Sequence, residues 1–533
     1  MTTNDTQDEN KTAETKEVVG MGNGYEASKG ALEIAADAAN TLWWWDNSSD
    51  NNNAEGPKEG VWRTRTHVIH PKTGIAAETT KSDDDKNTAT EWVPWKTLLD
   101  NSEAPYFRWF VNAKTNACFN AVDRHLLEGR GSDVALTCLP EEEEEKAYSL
   151  NRRELAGAVA IAALELRDTF GLKARDRVLF HMPTDAMHFV YMLACQRLGV
   201  IYSATAVDSV EDVLISRAAD LQNLLTIVRD QPVQHGGVRI DCFGKIENAM
   251  PAMPMLAVGS WAAFYAKHNI GELFSNVSDE EAYLAIQKMI PALPCESDHP
   301  LFVSYTSGST GKPKGIVHGH GGYTTGVLAS MHKVFNTKAG EGCDGNGGGI
   351  LTVGSSGWIT GQSYMFMGPL LAAVRSVMMV GSPVYPSSLR MIETVASERC
   401  TILKTGSAVV RQLMTDTANA AKLDALDTSC LRCATFCAEP VSMEVHKYGH
   451  KHITNNFINS YWATEHGSMV LSRDVSRGAA GEVEVKPDTR TWPLPWVSVA
   501  LDPESSDVVI TSPYPSLALT IFGHPEHLNE PNW

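Results

Sequence analysis

Between residues 152 and 202 the sequence alternates between helical and strand patterns, and this alternation constrains the fold more than any other feature. A helical pattern over residues 152–170 is followed by an apolar strand pattern over residues 177–181. A second helical pattern over residues 185–198 precedes a strand that begins at Val200, and each helix ends at a glycine. Strands that alternate with long helices form parallel sheets from βαβ units, so the sequence predicts an α/β fold.

A stretch rich in glycine, hydroxyl groups and lysine, Tyr305–Gly315 with the sequence YTSGSTGKPKG, lies between two apolar segments that predict strands. Its glycines allow successive backbone N–H groups to point at one spot, and its hydroxyls and lysines add donors and positive charge. These features favour a phosphate-binding loop over a solvated hairpin. The stretch differs from the G-x-x-x-x-G-K-[ST] loop, because Thr306 stands where the first glycine is needed and Pro313 follows Lys312.

Length, charge and cysteine content limit the class of protein. A chain of 533 residues is long enough for more than one domain. The formal net charge of −19 argues against a nucleic-acid partner and against binding to an anionic membrane. No run of eighteen apolar residues predicts a membrane span. Ten cysteines without a secretory signal predict reduced thiols and a cytoplasmic location.

Three cysteines, Cys430, Cys433 and Cys437, are close enough in sequence to suggest a metal site. They lie in an apolar segment that predicts a buried strand, and no histidine or fourth cysteine is suitably spaced nearby. The buried strand is therefore the favoured interpretation.

Three further segments are predicted to have structural roles. The adjacent tryptophans Trp43–Trp45 follow an alanine-rich helical pattern and are expected to dock on the main body, because solvent exposure of all three would be costly. Asp123–His125 predicts a cluster of ion pairs and caps. The acidic run Glu141–Glu145 predicts a surface loop.

Three motifs accompany the glycine-rich stretch. They are GWITGQSYMFMGPL at residues 357–370, CAEP at residues 437–440 and NSYWATE at residues 459–465. Together, over about residues 106–533, they resemble the acyl-adenylate-forming enzymes, and in detail acetyl-CoA synthetase and its short-chain relatives such as propionyl-CoA synthetase. The resemblance implies a large α/β domain with two βαβ subdomains and a small β-barrel. It also implies an acetate-CoA ligase of the AMP-forming type.

The domain organisation implied by the resemblance has four parts. Residues 1–24 are expected to be a disordered tail and residues 25–105 an N-terminal arm with loops. Residues 106–480 would form the AMP-binding α/β subdomains, and residues 481–533 a partial β-barrel. The family's ribose-binding aspartate motif and its mobile C-terminal lid, which supplies a catalytic lysine, do not follow Phe522 in this sequence. The sequence therefore predicts a chain that lacks the lid.

The resemblance also implies site residues. Those expected to bind nucleotide are Thr306, Ser307, Gly308, Ser309, Thr310, Gly311, Lys312, Ala438, Glu439, Pro440, Asn459, Ser460, Tyr461, Trp462 and Thr464. Those expected to line the acyl pocket are Ile359, Thr360, Cys437 and Trp462. Those expected to take part in catalysis are Thr306, Lys312, Thr464 and Glu465, with Glu465 holding Mg²⁺ and Arg239 contacting coenzyme A.

Individual roles follow from side-chain chemistry once the resemblance is accepted. The ring of Tyr461 suits stacking on adenine, and the carboxylate of Glu465 suits magnesium. The large side chain of Trp462 leaves room for only a small acyl group, acetate or propionate, between which the sequence does not discriminate. Three positions depart from the family pattern: Ala438 replaces a glycine, Gln362 a histidine and Ser355 an aspartate.

Two functions are compatible with this pattern. The first is a ligase that converts a short-chain acid and ATP to acyl-adenylate and then transfers the acyl group to coenzyme A, the second step being in doubt without the lid. The alternative is a protein that binds nucleotide or acyl-adenylate without turnover.

Overall fold

Two seven-stranded sheets, both mainly parallel, form the centre of the protein. The computed structural model describes residues 27–46, 61–64, 67–69, 76–78, 94–141, 146–306, 313–437, 441–473 and 492–523. The first parallel sheet has the spatial order Met255–Val258 (β15), Leu225–Arg229 (β12), Arg177–His181 (β10), Ile201–Thr205 (β11), Pro300–Thr306 (β17), Lys314–Gly319 (β18) and Thr520–Ile521 (β28). The pairs β17–β18 and β18–β28 are antiparallel, and the other neighbours pair in parallel.

The second parallel sheet is built from later parts of the chain and from one early hairpin. Its spatial order is Phe457–Asn459 (β23), Cys433–Cys437 (β22), Ile402–Gly406 (β21), Ile350–Thr352 (β19), Ser376–Met379 (β20), Val134–Leu139 (β8) and Tyr148–Asn151 (β9). Only the last pair is antiparallel. The mixed α/β fold with parallel sheets that the sequence predicts is therefore confirmed.

A six-stranded antiparallel sheet and four two-stranded sheets complete the β-structure of the described residues. The six-stranded sheet has the order Cys295–Glu296 (β16), Lys114–Thr115 (β7), Trp44–Asp46 (β1), Val61–Arg63 (β2), His67–Ile69 (β3) and Ala76–Glu78 (β4). The two-stranded sheets pair Thr97–Asp100 (β5) with Arg108–Val111 (β6), Val233–His235 (β13) with Val238–Ile240 (β14), Leu471–Ser472 (β24) with Trp492–Pro493 (β25), and Val499–Leu501 (β26) with Val508–Ile510 (β27).

Helices connect the strands. The α-helices are Lys29–Thr41 (α1), Arg124–Leu127 (α2), Arg152–Leu164 (α3), Ala186–Leu198 (α4), Glu211–Leu221 (α5), Cys242–Ala249 (α6), Trp261–Lys267 (α7), Asp279–Met289 (α8), His320–Phe335 (α9), Gly368–Leu371 (α10), Arg390–Ser397 (α11), Ser407–Met414 (α12), Asn419–Ala425 (α13) and Met443–His452 (α14). Shorter π-helical segments are Phe119–Asp123, Glu165–Thr169, Gly271–Ser275 and Gly361–Met367, and Thr464–His466 is a 3₁₀ turn.

Local sequence explains why the predicted βαβ alternation forms. Helix α3 begins with a capping box, in which the Asn151 side chain accepts from the Glu154 N–H and the Glu154 carboxylate accepts from the Asn151 N–H. Helix α4 ends at Gly199, whose φ of 69° is the left-handed conformation that glycine adopts at a helix end. The strand predicted at residues 177–181 is β10. The predicted boundaries in this region are confirmed to within one residue, with α3 continuing as a π-helical segment to Thr169.

The two parallel sheets are joined by the segment that follows β19. The Phe366 ring in this segment lies 4.5 Å from the ring of Phe189 on α4. The Ser363 hydroxyl bonds to that of Tyr323 on α9 over 3.0 Å. Helices α4 and α9 are both largely buried. The second sheet is thus packed, through this segment, on helices that belong to the first.

The tryptophan segment docks on the main body as predicted. Trp43 and Trp44 are buried, and Trp44 donates from its indole N–H to the carbonyl of Ala38 over 3.0 Å. Trp43 also donates its backbone N–H to the side chain of Asn120 over 2.7 Å, which links the arm to residues of the main body. The tail predicted over residues 1–24 lies outside the described residues. The division of the main chain at residues 105 and 480 stays a prediction.

The predicted cluster at Asp123–His125 is structural. The Asp123 carboxylate accepts two hydrogen bonds from Arg197, over 2.8 and 2.9 Å, and both side chains are fully buried. Arg124 donates to the carbonyls of Thr41 and Leu371, so it ties α1 to the segment that ends α10. This prediction is confirmed.

Glu141 departs from the predicted surface loop. Its residue is 7% exposed, and its carboxylate accepts the backbone N–H groups of Gly236, Gly237 and Ser382 over 3.0, 2.9 and 2.6 Å. The prediction is wrong for Glu141, because its hydrogen-bond donors come from distant parts of the chain. These N–H groups offset part of the free energy lost when the carboxylate is removed from water. The rest of the acidic run, residues 142–145, lies outside the described residues.

We expect the Glu141→Gln variant to lose about 1–3 kcal/mol of unfolding free energy at neutral pH, because a neutral amide oxygen accepts these N–H bonds less strongly. Burial raises the pKa of Glu141, but the N–H groups of Gly237 and Gly236 outweigh it, and the pKa is lowered overall. A lowered pKa gives stability that is present above the unfolded-state value and is lost as the pH falls through the folded-state value.

Urea unfolding at several pH values measures this effect. The difference between the wild type and Glu141→Gln should shrink as the carboxylate is protonated. Replacing the exposed Glu272 by glutamine is the matched control. Equal unfolding free energies of wild type and Glu141→Gln at neutral pH would contradict the prediction.

The last described segment returns to the first parallel sheet. Strand β28 pairs with β18, and the Phe522 N–H donates to the carbonyl of Gly315 over 2.7 Å. The partial β-barrel predicted over residues 481–533 stays a prediction, since residues 474–491 and 524–533 lie outside the described part of the chain.

Across the described ranges, the helices are all too short or too polar to cross a bilayer. All ten cysteines are free thiols. The segment that contains Cys433 and Cys437 is the buried strand β22, as predicted.

Candidate active site

The predicted site residues follow neighbouring strands of the second parallel sheet. Strands β19, β21, β22 and β23 run parallel and lie side by side, so their carboxyl ends share one edge. In open α/β sheets, ligands bind in the crevice at this edge. The segment with Ile359 and Thr360 follows β19, Cys437 ends β22, and Asn459 ends β23. The topology therefore brings these predicted residues to one edge of the sheet.

The segment after β23 is fixed by backbone hydrogen bonds. The Ser460 N–H donates to the carbonyl of Phe436 in β22 over 3.0 Å. Tyr461 donates its N–H to the carbonyl of Leu471 over 2.8 Å and accepts from the Val470 N–H over 3.1 Å. Tyr461 is half-buried, whereas Asn459, Ser460 and Trp462 are buried. Backbone hydrogen bonds thus fix a half-buried aromatic residue at the edge of the sheet.

The turn that carries Thr464 and Glu465 is attached to the hairpin of β17 and β18. The carbonyl of Thr464 lies 2.8 Å from Nε2 of His318 in β18. The carbonyl of Glu465 accepts the Ala518 N–H over 2.8 Å. Burial raises the pKa of Glu465, and the charge of Lys314 lowers it in part, so the carboxylate lies within electrostatic range of the first residue of β18. The structure therefore brings Glu465 to the base of the predicted phosphate loop.

The predicted phosphate loop joins β17 to β18 as an antiparallel hairpin. Thr306 is paired with Lys314 at the loop end of the hairpin. Tyr305 donates to the Asp220 carboxylate over 2.6 Å, and the Arg217 guanidinium lies 4.0 Å from the centre of its ring. Nine of the predicted nucleotide-binding residues lie outside the described residues: Ser307, Gly308, Ser309, Thr310, Gly311, Lys312, Ala438, Glu439 and Pro440.

The residues predicted to line the acyl pocket are mostly apolar and buried. Ile359, Cys437 and Trp462 are buried, and Thr360 is half-buried. The Trp462 ring meets the Tyr364 ring edge to face, with 5.1 Å between centroids and an interplanar angle of 80°. An aromatic wall therefore closes one side of this region.

Two positions near this region, Gln362 and Ser355, depart from the family pattern, and the structure shows their hydrogen bonds. Gln362 is buried, accepts from the Tyr202 hydroxyl over 3.1 Å and donates to the Ser356 carbonyl. Its local hydrogen bonding is therefore satisfied. The Ser355 hydroxyl accepts the Gly357 N–H over 3.3 Å.

Lys404 is a residue that the motifs did not identify. It lies in the middle of β21, is fully buried, and its Nζ is 4.7 Å from the Tyr364 ring centre and 5.2 Å from that of Trp462. The signal in the sequence was a single lysine inside the apolar strand pattern T-I-L-K-T. A lysine at such a position needs a specific environment, because a buried ammonium group is costly.

Arg239 lies apart from these residues in the described structure. It is exposed on strand β14, in the hairpin whose glycine turn is bound by Glu141. Glu141 follows β8, so this hairpin sits at the carboxyl edge of the second sheet beside β8 and β20 rather than beside β21 to β23. Contact between Arg239 and coenzyme A stays a prediction.

A separate group of buried side chains could offer metal ligands. Cys295, His299 and His320 have ligand atoms within 4.8 Å of one another. His299 Nε2 bonds to the Gly199 carbonyl over 2.8 Å, and His320 Nδ1 accepts the Ala117 N–H over 3.0 Å. In a neutral His320 ring the remaining nitrogen then carries the proton, which makes it a poor metal ligand. These histidines therefore fit a structural role.

The fold and the site geometry define a class that sequence comparison identifies. Residues 124–511 match the family model of AMP-binding enzymes, and residues 88–121 match the model of the acetyl-coenzyme A synthetase N-terminus. The chain belongs to the family of AMP-binding enzymes.

Relatives specify the type within this family. The chain is similar to acetyl-coenzyme A synthetases of Thiobacillus denitrificans (31% identical over 83% of this chain and 67% of the relative) and Cupriavidus necator (29% over 82% and 66%). A third, from Mycolicibacterium smegmatis, is 30% identical over 83% of this chain and 47% of the relative. The chain spans about two thirds of the length of the first two. The family and these relatives indicate an AMP-forming acid–thiol ligase.

Proposed function

We propose that this chain activates a short-chain carboxylic acid with ATP. The carboxylate oxygen attacks the α-phosphorus of ATP, the bond to the β,γ-phosphates breaks, and acyl-adenylate and pyrophosphate form. In a second step, the thiolate of coenzyme A attacks the acyl carbon, and AMP leaves. The relatives that carry the name acetyl-coenzyme A synthetase support this reaction, and acetate and propionate are the candidate acids.

One observation carries the proposal. The turn with Thr464 and Glu465 is bonded to β18 through His318, while the Tyr461–Trp462 segment that precedes it belongs to the edge of the second sheet. A nucleotide that stacks on Tyr461 would therefore extend its phosphates toward the hairpin of β17 and β18. An acid bound beside Trp462 would lie next to the α-phosphate. This arrangement supplies the positioning that phosphoryl and adenylyl transfer require.

Roles for the individual residues follow from their chemistry. The Tyr461 ring would stack on adenine, and the Thr464 hydroxyl would donate to the α-phosphate. Lys312, together with the hydroxyls and N–H groups of residues 306–311, would surround the β- and γ-phosphates. The Trp462 side chain would exclude water and larger acyl chains from the acyl pocket.

A magnesium ion fits the donor chemistry of the site. Glu465 offers a carboxylate oxygen near the predicted phosphate loop, and hard oxygen ligands are those that magnesium prefers. When bound, magnesium would neutralise charge on the phosphates of ATP. Holding that ion is the role we propose for Glu465.

Exchange of labelled pyrophosphate into ATP tests the first step directly. We expect exchange that depends on acetate or propionate and on magnesium. Exchange with hexanoate should be low, because the Trp462 side chain should exclude so long an acyl chain. Calorimetry with ATP and AMP is the parallel measurement. Nucleotide binding without exchange for any short acid would favour the alternative of a binding protein without turnover, and absence of both would overturn the proposal.

We expect the Tyr461→Ala variant to bind ATP and AMP about 10- to 100-fold more weakly, because stacking of a base on an aromatic ring contributes about 1–3 kcal/mol. Tyr461→Phe is the matched control and should bind within a few-fold of the wild type, since it keeps the ring. Isothermal titration calorimetry measures both variants. Similar affinities for wild type and Tyr461→Ala would place the base elsewhere.

A further inference from the structure

The ammonium group of Lys404 lies in a cage of aromatic rings and sulfur atoms. Its Nζ is 4.7 Å and 5.2 Å from the ring centres of Tyr364 and Trp462. It lies 3.5 Å from the Thr435 hydroxyl and 3.9 Å from the sulfur of Met469. Attraction to the two ring faces stabilises a cation there.

No carboxylate among the described residues pairs with this lysine, although its side chain is fully buried. Burial lowers the pKa of Lys404, and the thiols of Cys437 and Cys433 oppose that effect only in part. Rings, a hydroxyl and sulfur atoms replace the lost hydration incompletely, so the group retains the capacity to bind a strong acceptor. Titratable groups whose pKa is perturbed by burial cluster at functional sites.

The position of Lys404 indicates which molecule supplies that acceptor. Two of the four residues predicted to line the acyl pocket, Trp462 and Cys437, interact with its ammonium group. Strand β21 lies between β19, which precedes Ile359 and Thr360, and β22, which ends at Cys437. The ammonium group therefore lies against two of the residues that are predicted to line the acyl pocket.

We propose that Lys404 is a specificity-determining residue that binds a second oxygen acceptor on the acyl chain, so that a short 3-oxo or dicarboxylic acid is preferred over an alkanoate of similar length. This inference rests on the proposed function, because it assumes that the acid is activated beside Trp462. A keto or carboxylate oxygen three or four atoms from the reacting carboxylate would accept from the ammonium group more strongly than the Thr435 hydroxyl and the Met469 sulfur do. An alkanoate of similar length offers no such acceptor, and sites built for a polar contact reject analogues that lack it.

The test uses stable analogues of the acyl-adenylate, so that it depends on binding and not on turnover. The probes are three N-acylsulfamoyl adenosines, in which a butanoyl, 3-oxobutanoyl or malonyl group is bonded to the sulfamoyl nitrogen. Isothermal titration calorimetry with the whole chain gives their affinities. We expect the wild type to bind one of the two oxygen-bearing analogues at least tenfold more tightly than the butanoyl analogue, and the better of the two distinguishes a keto group from a carboxylate.

Two variants connect this preference to Lys404. In Lys404→Met, a side chain of similar length without charge, the preference should fall to within about twofold, and affinity for the butanoyl analogue should be kept or increased. Lys404→Gln, which keeps a donor, should retain part of the preference and serves if Lys404→Met does not fold. Replacing the exposed Lys451 by methionine is the matched control and should leave all three affinities unchanged.

The outcomes separate this inference from the function on which it rests. If all three analogues bind equally well to the wild type, or if the preference survives in Lys404→Met, the inference is overturned while the proposed function stands. If a folded wild type binds none of the three, the proposed function fails and the inference fails with it. Pyrophosphate exchange with butanoate, 3-oxobutanoate and malonate should show the same order of preference.

Discussion

We expect the Glu465→Gln variant to lose roughly 100- to 1,000-fold in the rate of acyl-adenylate formation, because removal of a charged group that acts on the reacting phosphates has effects of this order. Glutamine has nearly the same size, and the hydrogen bond that holds this turn to Ala518 uses the backbone carbonyl of residue 465, which the substitution keeps. The loss should therefore reflect chemistry rather than folding. Pyrophosphate exchange at increasing magnesium concentrations measures it.

The control for this variant is Glu504→Gln, which changes an exposed carboxylate in the β26–β27 hairpin. It should leave both the rate and its magnesium dependence unchanged. Thermal unfolding should show that Glu465→Gln remains folded. A rate within threefold of the wild type, with the same magnesium dependence, would remove Glu465 from the proposed site.

The Asp123→Ala variant should lose about 3–5 kcal/mol of unfolding free energy, the usual consequence of leaving one partner of a buried ion pair without the other. The Asp123 and Arg197 side chains are 1% and 0% exposed, and Gln287 donates a further hydrogen bond to Asp123 over 2.8 Å. After the substitution, the guanidinium of Arg197 would stay in an apolar core without its carboxylate. Urea unfolding, followed by fluorescence and by circular dichroism, measures the change.

An exposed ion pair of the same chain provides the comparison. Arg108 and Asp298 are 2.7 Å apart, but their side chains are 51% and 28% exposed. Asp298→Ala should cost at most about 1 kcal/mol, because solvent screens such pairs. Equal losses for the two variants would show that burial does not decide the contribution of the Asp123–Arg197 pair.

Much of the fold could be predicted because local patterns and tertiary structure agree. The apolar run of β10, the glycine that ends α4 and the apolar segments on both sides of the glycine-rich stretch each specify their elements without help from distant residues. Trp43 and Trp44 could be assigned to the interior on solvation grounds alone. These are the places where hydrophobic periodicity and turn chemistry dominate.

Glu141 and Lys404 show why the rest could not be predicted. Glu141 begins a run of five acidic residues, a pattern typical of solvated loops, yet its donors come from residues 95, 96 and 241 positions away. Lys404 interrupts an apolar strand, and its environment comes from Tyr364 and Trp462 in other segments. In both cases the environment of a charged group is set by contacts between distant segments, which local patterns do not contain.

In the candidate site, too, some features could be predicted from the sequence and others could not. The motif at residues 459–465 predicted an aromatic residue and a carboxylate near the phosphate loop, and the structure attaches their segment to β18 through His318. The functional roles of these residues remain proposals for the experiments above. The prediction that Arg239 contacts coenzyme A rested only on the presence of an arginine in this part of the sequence. The structure places Arg239 beside β8 and β20, at the other end of the sheet edge.

The pairing of Thr306 with Lys314 has a consequence for the thermodynamics of nucleotide binding. A flexible chain must lose conformational entropy to bring the two ends of a short segment together, at a cost of about 2 kcal/mol for a segment of this length. Here the strands β17 and β18 hold the ends of residues 307–312 together, and they are themselves flanked by β11 and β28. The conformational entropy of closing this loop is therefore already lost when the sheet folds, before nucleotide binds. More of the interaction energy with the phosphates then contributes to affinity.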